Sequence, residues 1–205
     1  MDITKSENIE KLTKLLRDVL FLNEVGGDAQ YVYRFSDADG FRTGRSGWSF
    51  GVSQFDIAHN ADLAPKCLKA IGFTDQEIDF IKKQIYSTQE MARISVRLKE
   101  KSSIVDKYDL LHMGETVSLV ANLLKKYNCT DVDVDAFLAL CDYHNQFCIS
   151  PNGKMEQYVK TVIASEGKIT FAHVSARKSA TKWGRDRPDD VRRRDKNIKA
   201  VASKP

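Results

Sequence analysis

"FLNEVGGDAQYVYRFSDADGFRTGRSGWSFGVSQFD", residues 21–56, joins the end of an apolar helix to two short aromatic-rich segments. Glu24 stands in the last turn of that helix, and the two glycines after it allow the backbone to turn away. The segments YVYRF and GWSFGVSQF alternate aromatic and polar residues on either side of the turn-forming SDADG. They therefore predict a small β-hairpin that presents Asp37 and Ser49.

The rest of the chain has the spacing of helices. Apolar residues recur at helical intervals from Ile9 to Leu20, and Thr4 with Glu7 predicts a capping box in front of them. Beyond residue 60, helices are predicted over DLAPKCLKAIG, TDQEIDFIKKQIY, residues 88–111, GETVSLVANLLKKY, DVDAFLALCDYHNQF, GKMEQYVKTVIASEGKI and the segment after Pro188. The predicted class is α+β and mostly helical, with one small N-terminal sheet.

The predicted organisation is a single domain over residues 1–205. Residues 1–60 form an N-terminal helix and β-hairpin lobe, residues 61–198 a helical lobe, and residues 199–205 a flexible tail. No apolar run approaches the roughly 18 residues that a membrane helix needs. The charged N-terminus lacks the apolar core of a secretory signal, so we expect synthesis in the cytoplasm.

Cysteine spacing and charge exclude some classes of site. The four cysteines show no CxxC or CxxxH spacing, which argues against zinc and favours reduced, buried thiols. Residues 177–205 carry 11 Lys and Arg against 4 Asp. This basic end predicts either an anionic partner or a solvated helix face. Because the aspartates are interleaved with the arginines, we expect pairing within the helix and no nucleic acid partner.

Glu24 is the strongest candidate for chemistry. A carboxyl group at the end of an apolar helix face is partly desolvated, so it can hold a proton near neutral pH as a general acid for glycosidic cleavage does. The alternative is an exposed Glu at an unfavourable helix end. Asp37 and Asp39 in SDADG could be simple turn formers, and the segment lacks the first and last carboxylates of an EF-hand loop. Ser49 lacks a nucleophile-elbow context and is interpreted as a polar group that can hold a water.

A second candidate region lies in the helix DVDAFLALCDYHNQF. Its segment DYHNQF is a polar patch on an otherwise apolar helix, and we expect His144 and Asn145 to line a cleft there. The four histidines are dispersed along the chain, so no Cys-His or Ser-His pair is predicted.

Taken together, these features resemble the catalytic core of the phage-type lysozymes. Those enzymes place a Glu followed by Gly at the end of the first helix, an Asp in a hairpin turn, and a Thr in an aromatic-Thr-x-Gly strand. Glu24 matches the first element, Asp37 in FSDADG the second, and Ser49 in WSFGV the third. The later segment TKWGRDRPDDVRRR resembles the family's Trp-x4-Pro-x4-Arg segment through Trp183, Pro188 and Arg193.

The resemblance implies a lysozyme-like two-lobed fold and a glycoside hydrolase that cleaves peptidoglycan glycan strands. Glu24 would be the general acid, Asp37 would stabilise the oxocarbenium-like transition state or activate water, and Ser49 would position that water. The expected substrate-binding residues are Trp48, Gln54, His144, Asn145 and Trp183. Ser in place of Thr, a longer Glu-to-Asp separation and the extra FRTGRS depart from the family pattern, so Asp39 or Asp56 could be the second carboxylate.

Alternative functions remain open at this point. The hairpin with GRSGWSFGV also resembles the related chitosanases, and a non-catalytic glycan-binding protein is a third interpretation. Anionic wall polymers suit the basic C-terminal segment better than cationic chitosan does. Two carboxylates need no cofactor or metal for hydrolysis, and no P-loop or dinucleotide motif is present. Action on a wall would follow release by a helper such as a holin or a secretion system.

Overall fold

The computed structural model describes residues 1–37, 47–57, 62–83 and 87–204, which are mostly helical. The helices are α1 (Ser6–Glu24), α2 (Ala29–Val32), α3 (Leu63–Ile71), α4 (Asp75–Lys82), α5 (Thr88–Glu100), α6 (Ser102–Lys126), α7 (Val134–Phe147), α8 (Lys154–Glu166), α9 (Phe171–Ser179), α10 (Lys182–Asp186) and α11 (Pro188–Ala202). Two short strands, β1 (Ser36–Asp37) and β2 (Trp48–Ser49), complete the described elements. The predicted mostly helical class is confirmed.

Local signals account for several helix ends. Thr74 and Glu77 form a capping box at the start of α4, in which the Thr74 amide donates to Glu77 Oε2 over 2.8 Å. Gly72 ends α3 with a left-handed φ of 102°, which a residue with a Cβ adopts only at a cost. At the N-terminus, α1 begins at Ser6, and the Thr4 hydroxyl donates to Asp2 rather than starting the helix as predicted.

The hairpin is smaller than predicted. The segment YVYRF is not a strand, because Asp28 accepts a hydrogen bond from the Gln30 amide and caps the short helix α2. Only β1 and β2 pair, in antiparallel fashion, with Ser36 opposite Ser49 and Asp37 opposite Trp48. After β2 the chain makes a turn over residues 51–54 instead of continuing as a strand.

The central helices also differ in their bounds. The predicted stretch 88–111 is divided at Lys101, where the backbone leaves the helical region between α5 and α6. α6 then continues through Gly114 to Lys126, although a glycine inside a helix costs about 1 kcal/mol relative to alanine.

Among the cysteines, Cys148 is exposed, because α7 has ended before it. The other three are buried as predicted, and all four are free thiols.

The chain divides into two compact units. One unit contains Met1–Asn23 with Met113–Pro205, and the other contains Glu24–His112. The second unit has one apolar core, to which α3–α6 and the hairpin region contribute Phe35, Phe50, Phe55, Leu68, Ile94 and Leu98 among others. The predicted lobes divide at residue 60, whereas the two compact units divide after Asn23 and again after His112.

The first unit continues to the C-terminal end of the described chain. Helices α7, α9 and α11 pack on one another, and Val201 near the end of α11 is fully buried. Lys204 also pairs with Asp18 on α1, at 2.7 Å between Nζ and Oδ2. Residues 199–202, predicted as part of a flexible tail, are therefore helical and partly packed. Within the described part of the chain, no helix is both long and apolar enough to cross a membrane.

Candidate functional site

The hairpin brings together three of the predicted site residues. Ser49 is almost completely buried, and its hydroxyl donates to Gln54 Oε1 over 2.9 Å. Trp48 is half-buried and stacks on Phe35, with ring centroids 5.4 Å apart. Since Gln54 and Trp48 both remain partly exposed, they form the accessible part of a site whose buried hydroxyl belongs to Ser49.

Gln54 holds this arrangement through an uncommon backbone conformation. Its φ of 50° lies in the left-handed region, which costs free energy for a residue other than glycine. Its side-chain amide donates to the Gly51 carbonyl over 2.8 Å, while its side-chain oxygen accepts from Ser49. The Gln54 side chain therefore links the strand β2 to the turn that follows it.

Asp109 on α6 binds the backbone of the same turn. Its carboxylate is fully buried, and its two oxygens accept hydrogen bonds from the backbone amides of Val52 (2.8 Å) and Ser53 (2.9 Å). Burial raises the pKa of Asp109 to about 6, although the two amide donors act in the opposite direction. Sequence reasoning missed this residue; the available signal was a carboxylate within the helical run KYDLLHM.

Glu24 and Asp56 belong to the same unit as the hairpin. Glu24 is the last residue of α1 and is half-buried. The backbone of Asp37 lies in β1 opposite Trp48, whereas its side chain and the whole of Asp39 lie outside the described residues. Asp56 Oδ2 accepts from the Gly47 amide at 2.9 Å, which ties that carboxylate to the backbone of the hairpin.

The other predicted site residues lie in the unit that contains α7 and α11. His144 Nδ1 accepts from the Ile149 amide over 2.9 Å, a contact that closes the end of α7. Trp183 packs edge-on against Phe147, with centroids 5.5 Å apart. His144, Asn145 and Trp183 are each partly buried, so they can still contact a ligand. Their predicted role in substrate binding stays a prediction.

Asp142, the first residue of the polar patch that contains His144 and Asn145, lies in the protein interior. Asp142 is fully buried and accepts from Asn23 Nδ2 at 2.9 Å, Arg194 Nη1 at 2.8 Å and Lys178 Nζ at 2.6 Å. Burial alone would raise the pKa of Asp142, but the two cations outweigh it and hold the pKa below its ordinary value. This part of the predicted cleft lining is therefore an internal ionic network.

Arg193 connects the late motif to the end of α1. Its guanidinium donates to the carbonyl oxygens of Leu22 (3.2 Å) and Asn23 (3.1 Å) and also contacts Asp190 on its own helix. The last carbonyl groups of a helix have no partner within it, and a cation there also complements the helix dipole. Arg193 therefore binds the end of the helix whose final residue is Glu24.

A basic groove of about 670 Å³ runs along α9 and α11. One wall carries three exposed cations, Arg192, Lys196 and Lys199, and the apolar part of the lining is formed by Phe171, Ala172 and Ala176. The carboxylate in this groove, Asp195, accepts a hydrogen bond from Ser175, and burial raises its pKa. The groove therefore favours a negatively charged ligand.

The remaining pairs on α11 and α10 agree with the pairing expected from sequence. Arg192 contacts Asp189, Arg194 contacts Asp190, and Lys182 contacts Asp186. Within the described ranges, no group of three or more His, Cys, Asp or Glu side chains is arranged to hold a metal ion.

No protein-family model matches the chain, and no curated protein or solved structure shows significant similarity to it.

Proposed function

We propose that this protein is a glycoside hydrolase that cleaves peptidoglycan glycan strands, with a lysozyme-like two-lobed fold. The observation that carries the proposal is the antiparallel pairing of Ser36–Asp37 with Trp48–Ser49. This pairing sets the backbone of Asp37 next to the strand that bears Ser49, as the resemblance to phage-type lysozymes requires. Both strands lie in the unit that begins with Glu24.

In the proposed mechanism, Glu24 donates a proton to the glycosidic oxygen as the bond breaks. A carboxylate of the hairpin, Asp37 in the first place, stabilises the oxocarbenium-like transition state or activates water. Because the Ser49 hydroxyl donates its hydrogen to Gln54, its oxygen remains available to accept a hydrogen bond from that water. The partly exposed Trp48 and Gln54 contact the sugar.

The late motif gives independent support. Arg193, the last residue of the Trp-x4-Pro-x4-Arg segment, donates to two carbonyl groups at the end of α1. Two sequence segments that resemble the same family, one near each end of the chain, are thus joined by hydrogen bonds. We propose that this contact holds the helix end that carries Glu24.

The basic groove on α9 and α11 favours an anionic wall over cationic chitosan. We propose that it contacts negatively charged polymers of the cell envelope while the hairpin engages the glycan. The chitosanase-like alternative lacks this electrostatic support, since the cations Arg192, Lys196 and Lys199 would repel a polycation.

The decisive experiment is a turbidity assay on purified peptidoglycan with wild type and Glu24→Gln. We expect clearing by wild type and a rate at least about a hundredfold lower for Glu24→Gln, the usual size of a general-acid contribution. Glu10→Gln is the matched control, because Glu10 is an exposed glutamate of the same helix. Its rate should equal that of wild type.

The same assay distinguishes the alternatives. Asp37→Asn, Asp39→Asn and Asp56→Asn identify the second carboxylate by which of them abolishes clearing. Binding to the wall without clearing, in wild type and variant alike, would indicate a non-catalytic glycan-binding protein. Clearing of chitosan but not of peptidoglycan would indicate the chitosanase-like enzyme.

A further inference from the structure

We propose that Asp109 is a positioning residue, which fixes the turn of residues 51–54 and thereby holds the Ser49 hydroxyl and the Gln54 side chain in one geometry. Its catalytic consequence rests on the proposed glycosidase function, whereas its effect on the turn does not. Asp109 touches no expected substrate atom and acts through Ser49, which would hold the water, and Gln54, which would contact the sugar.

The carboxylate and the turn are fitted closely to each other. Each oxygen of Asp109 accepts from one of two consecutive backbone amides, Val52 and Ser53, in a site with no exposure to solvent. Gly51, with φ of 80°, approaches so closely that a Cβ there would lie 2.8 Å from Asp109 Oδ1. Glycine is therefore required at this position for the carboxylate to reach the amides.

The backbone strain at Gln54 points to a function for this rigidity. A left-handed φ at a residue other than glycine persists only where the surroundings over-determine it, and such residues cluster at functional sites. Here the turn is held at its start by the Gly51 amide, which donates to the Val32 carbonyl over 2.7 Å, and at its end by the Phe55 amide, which donates to the Phe50 carbonyl over 2.7 Å. Between these ends the Gln54 amide donates to the Gly51 carbonyl, and Asp109 accepts from the two amides in the middle of the turn.

The protonation state of Asp109 is linked to this geometry. A protonated carboxyl group carries a hydrogen on one of its oxygens, so that oxygen would accept from its backbone amide more weakly. The titratable groups around it are Asp106 on α6 and Cys67 on α3, with His112 against the ring of Phe55. Burial raises the pKa of Cys67 to about 12 and lowers that of His112, so both are neutral at neutral pH.

The test compares Asp109→Asn with Asp106→Asn, a matched change on the same helix at a carboxylate that bonds the Tyr33 hydroxyl instead. In NMR spectra of the wild type, the amide protons of Val52 and Ser53 should shift together with a midpoint near pH 6. This shift should be absent from Asp109→Asn and retained in Asp106→Asn. The Gln54 side-chain amide should lose its protection from exchange in Asp109→Asn alone.

The activity readout separates positioning from simple stability. For folded Asp109→Asn we expect kcat on peptidoglycan to fall by about tenfold to a hundredfold with little change in KM, as for a misplaced catalytic group. Asp106→Asn should keep wild-type kcat. The inference would be overturned if kcat of Asp109→Asn were unchanged. It would also be overturned if the amide protons of Val52 and Ser53 showed no shift that depends on Asp109. If wild type clears no glycan while the turn still depends on Asp109, only the proposed function fails.

Discussion

The guanidinium of Arg193 donates from Nη2 to the backbone carbonyl of Asn23 across 3.1 Å, although the two residues are 170 positions apart. A second donor of the same group reaches the carbonyl of Leu22. One side chain on α11 thus satisfies two of the carbonyl groups that α1 leaves without a helical partner. The carbonyl groups of Leu22 and Asn23 therefore depend for their hydrogen bonds on a residue far along the chain.

Replacing Arg193 with Met should lower the free energy of unfolding by about 1 to 2 kcal/mol, because two charge-assisted bonds are lost from a partly screened site. The neighbouring Arg192→Met is the control, since Arg192 is exposed and contacts Asp189 on its own helix. Its effect should stay within about 0.5 kcal/mol. Urea denaturation measures both, and equal losses would show that the contact with α1 contributes nothing.

The parts of the fold that sequence predicted are those with local causes. The capping box of Thr74, the left-handed Gly72 and the start of α11 at Pro188 each depend on residues within one helical turn. The alternating aromatic residues of YVYRF predict a strand, and this prediction is wrong because the side chain of Asp28 caps a short helix there. The sequence pattern alone does not show whether the alternating aromatic residues or the helix cap determines the local structure.

In the candidate site, too, the residues that sequence predicted are those close together along the chain. Ser49, Trp48 and Gln54 were predicted together because they are close in sequence on one hairpin. Asp109 was missed because it lies 57 positions from Val52, and only the folded chain brings its carboxylate to the turn. Asp142 was assigned to a polar patch, and its burial became visible only with Lys178 and Arg194, which are 36 and 52 positions further along the chain.

Removing the charge of Asp142 should be strongly destabilising. Asp142→Asn leaves Lys178 and Arg194 buried without their anion, and breaking a buried pair costs about 3 to 5 kcal/mol. Asp186→Asn, which breaks the exposed pair with Lys182, should change stability little, because solvent screens that pair. Denaturant titration of the two variants tests this difference. A small loss for Asp142→Asn would mean that the network contributes little to stability.

Ser49→Ala tests the proposed water-binding hydroxyl. The variant loses the bond to Gln54, and we expect peptidoglycan clearing to fall by about tenfold or more with a stability loss near 1 kcal/mol. Ser36 lies directly opposite on the paired strand, so Ser36→Ala is the matched control and should clear normally. Equal activity of both variants would remove Ser49 from the mechanism.

The basic groove predicts salt-sensitive binding to anionic walls. Lys196→Glu with Lys199→Glu should reduce the retained fraction on isolated cell walls severalfold at low salt, and the difference should shrink as salt screens the charges. Lys154→Glu with Lys160→Glu on α8 makes the same change in net charge away from the groove. Co-sedimentation measures binding. Equal losses in both double variants would indicate a net-charge effect and not a site.

Two carboxylates should give stability opposite dependences on pH. The pKa of Asp109 is about 6 in the folded state, against an ordinary value of 3.8. The carboxyl group therefore stays protonated to a higher pH in the folded state than in the unfolded state. Between these values the free energy of unfolding should fall as pH rises, by about 3 kcal/mol in total. Glu156 has a pKa lowered from 4.5 to about 2, chiefly by its bond from Lys126, so its contribution is lost as pH falls.

Denaturation followed by fluorescence can isolate the contribution of Asp109. In a Trp183→Phe background the signal comes from Trp48, which packs in the same unit as Asp109. Asp109→Asn should flatten the pH dependence between about 4 and 6, because a neutral amide cannot titrate there. Glu156→Gln, followed through Trp183 in a Trp48→Phe background because Trp183 lies in the same unit as Glu156, should instead change the slope at lower pH. An unaltered slope in Asp109→Asn would show that this buried carboxylate is not the group that titrates near pH 6.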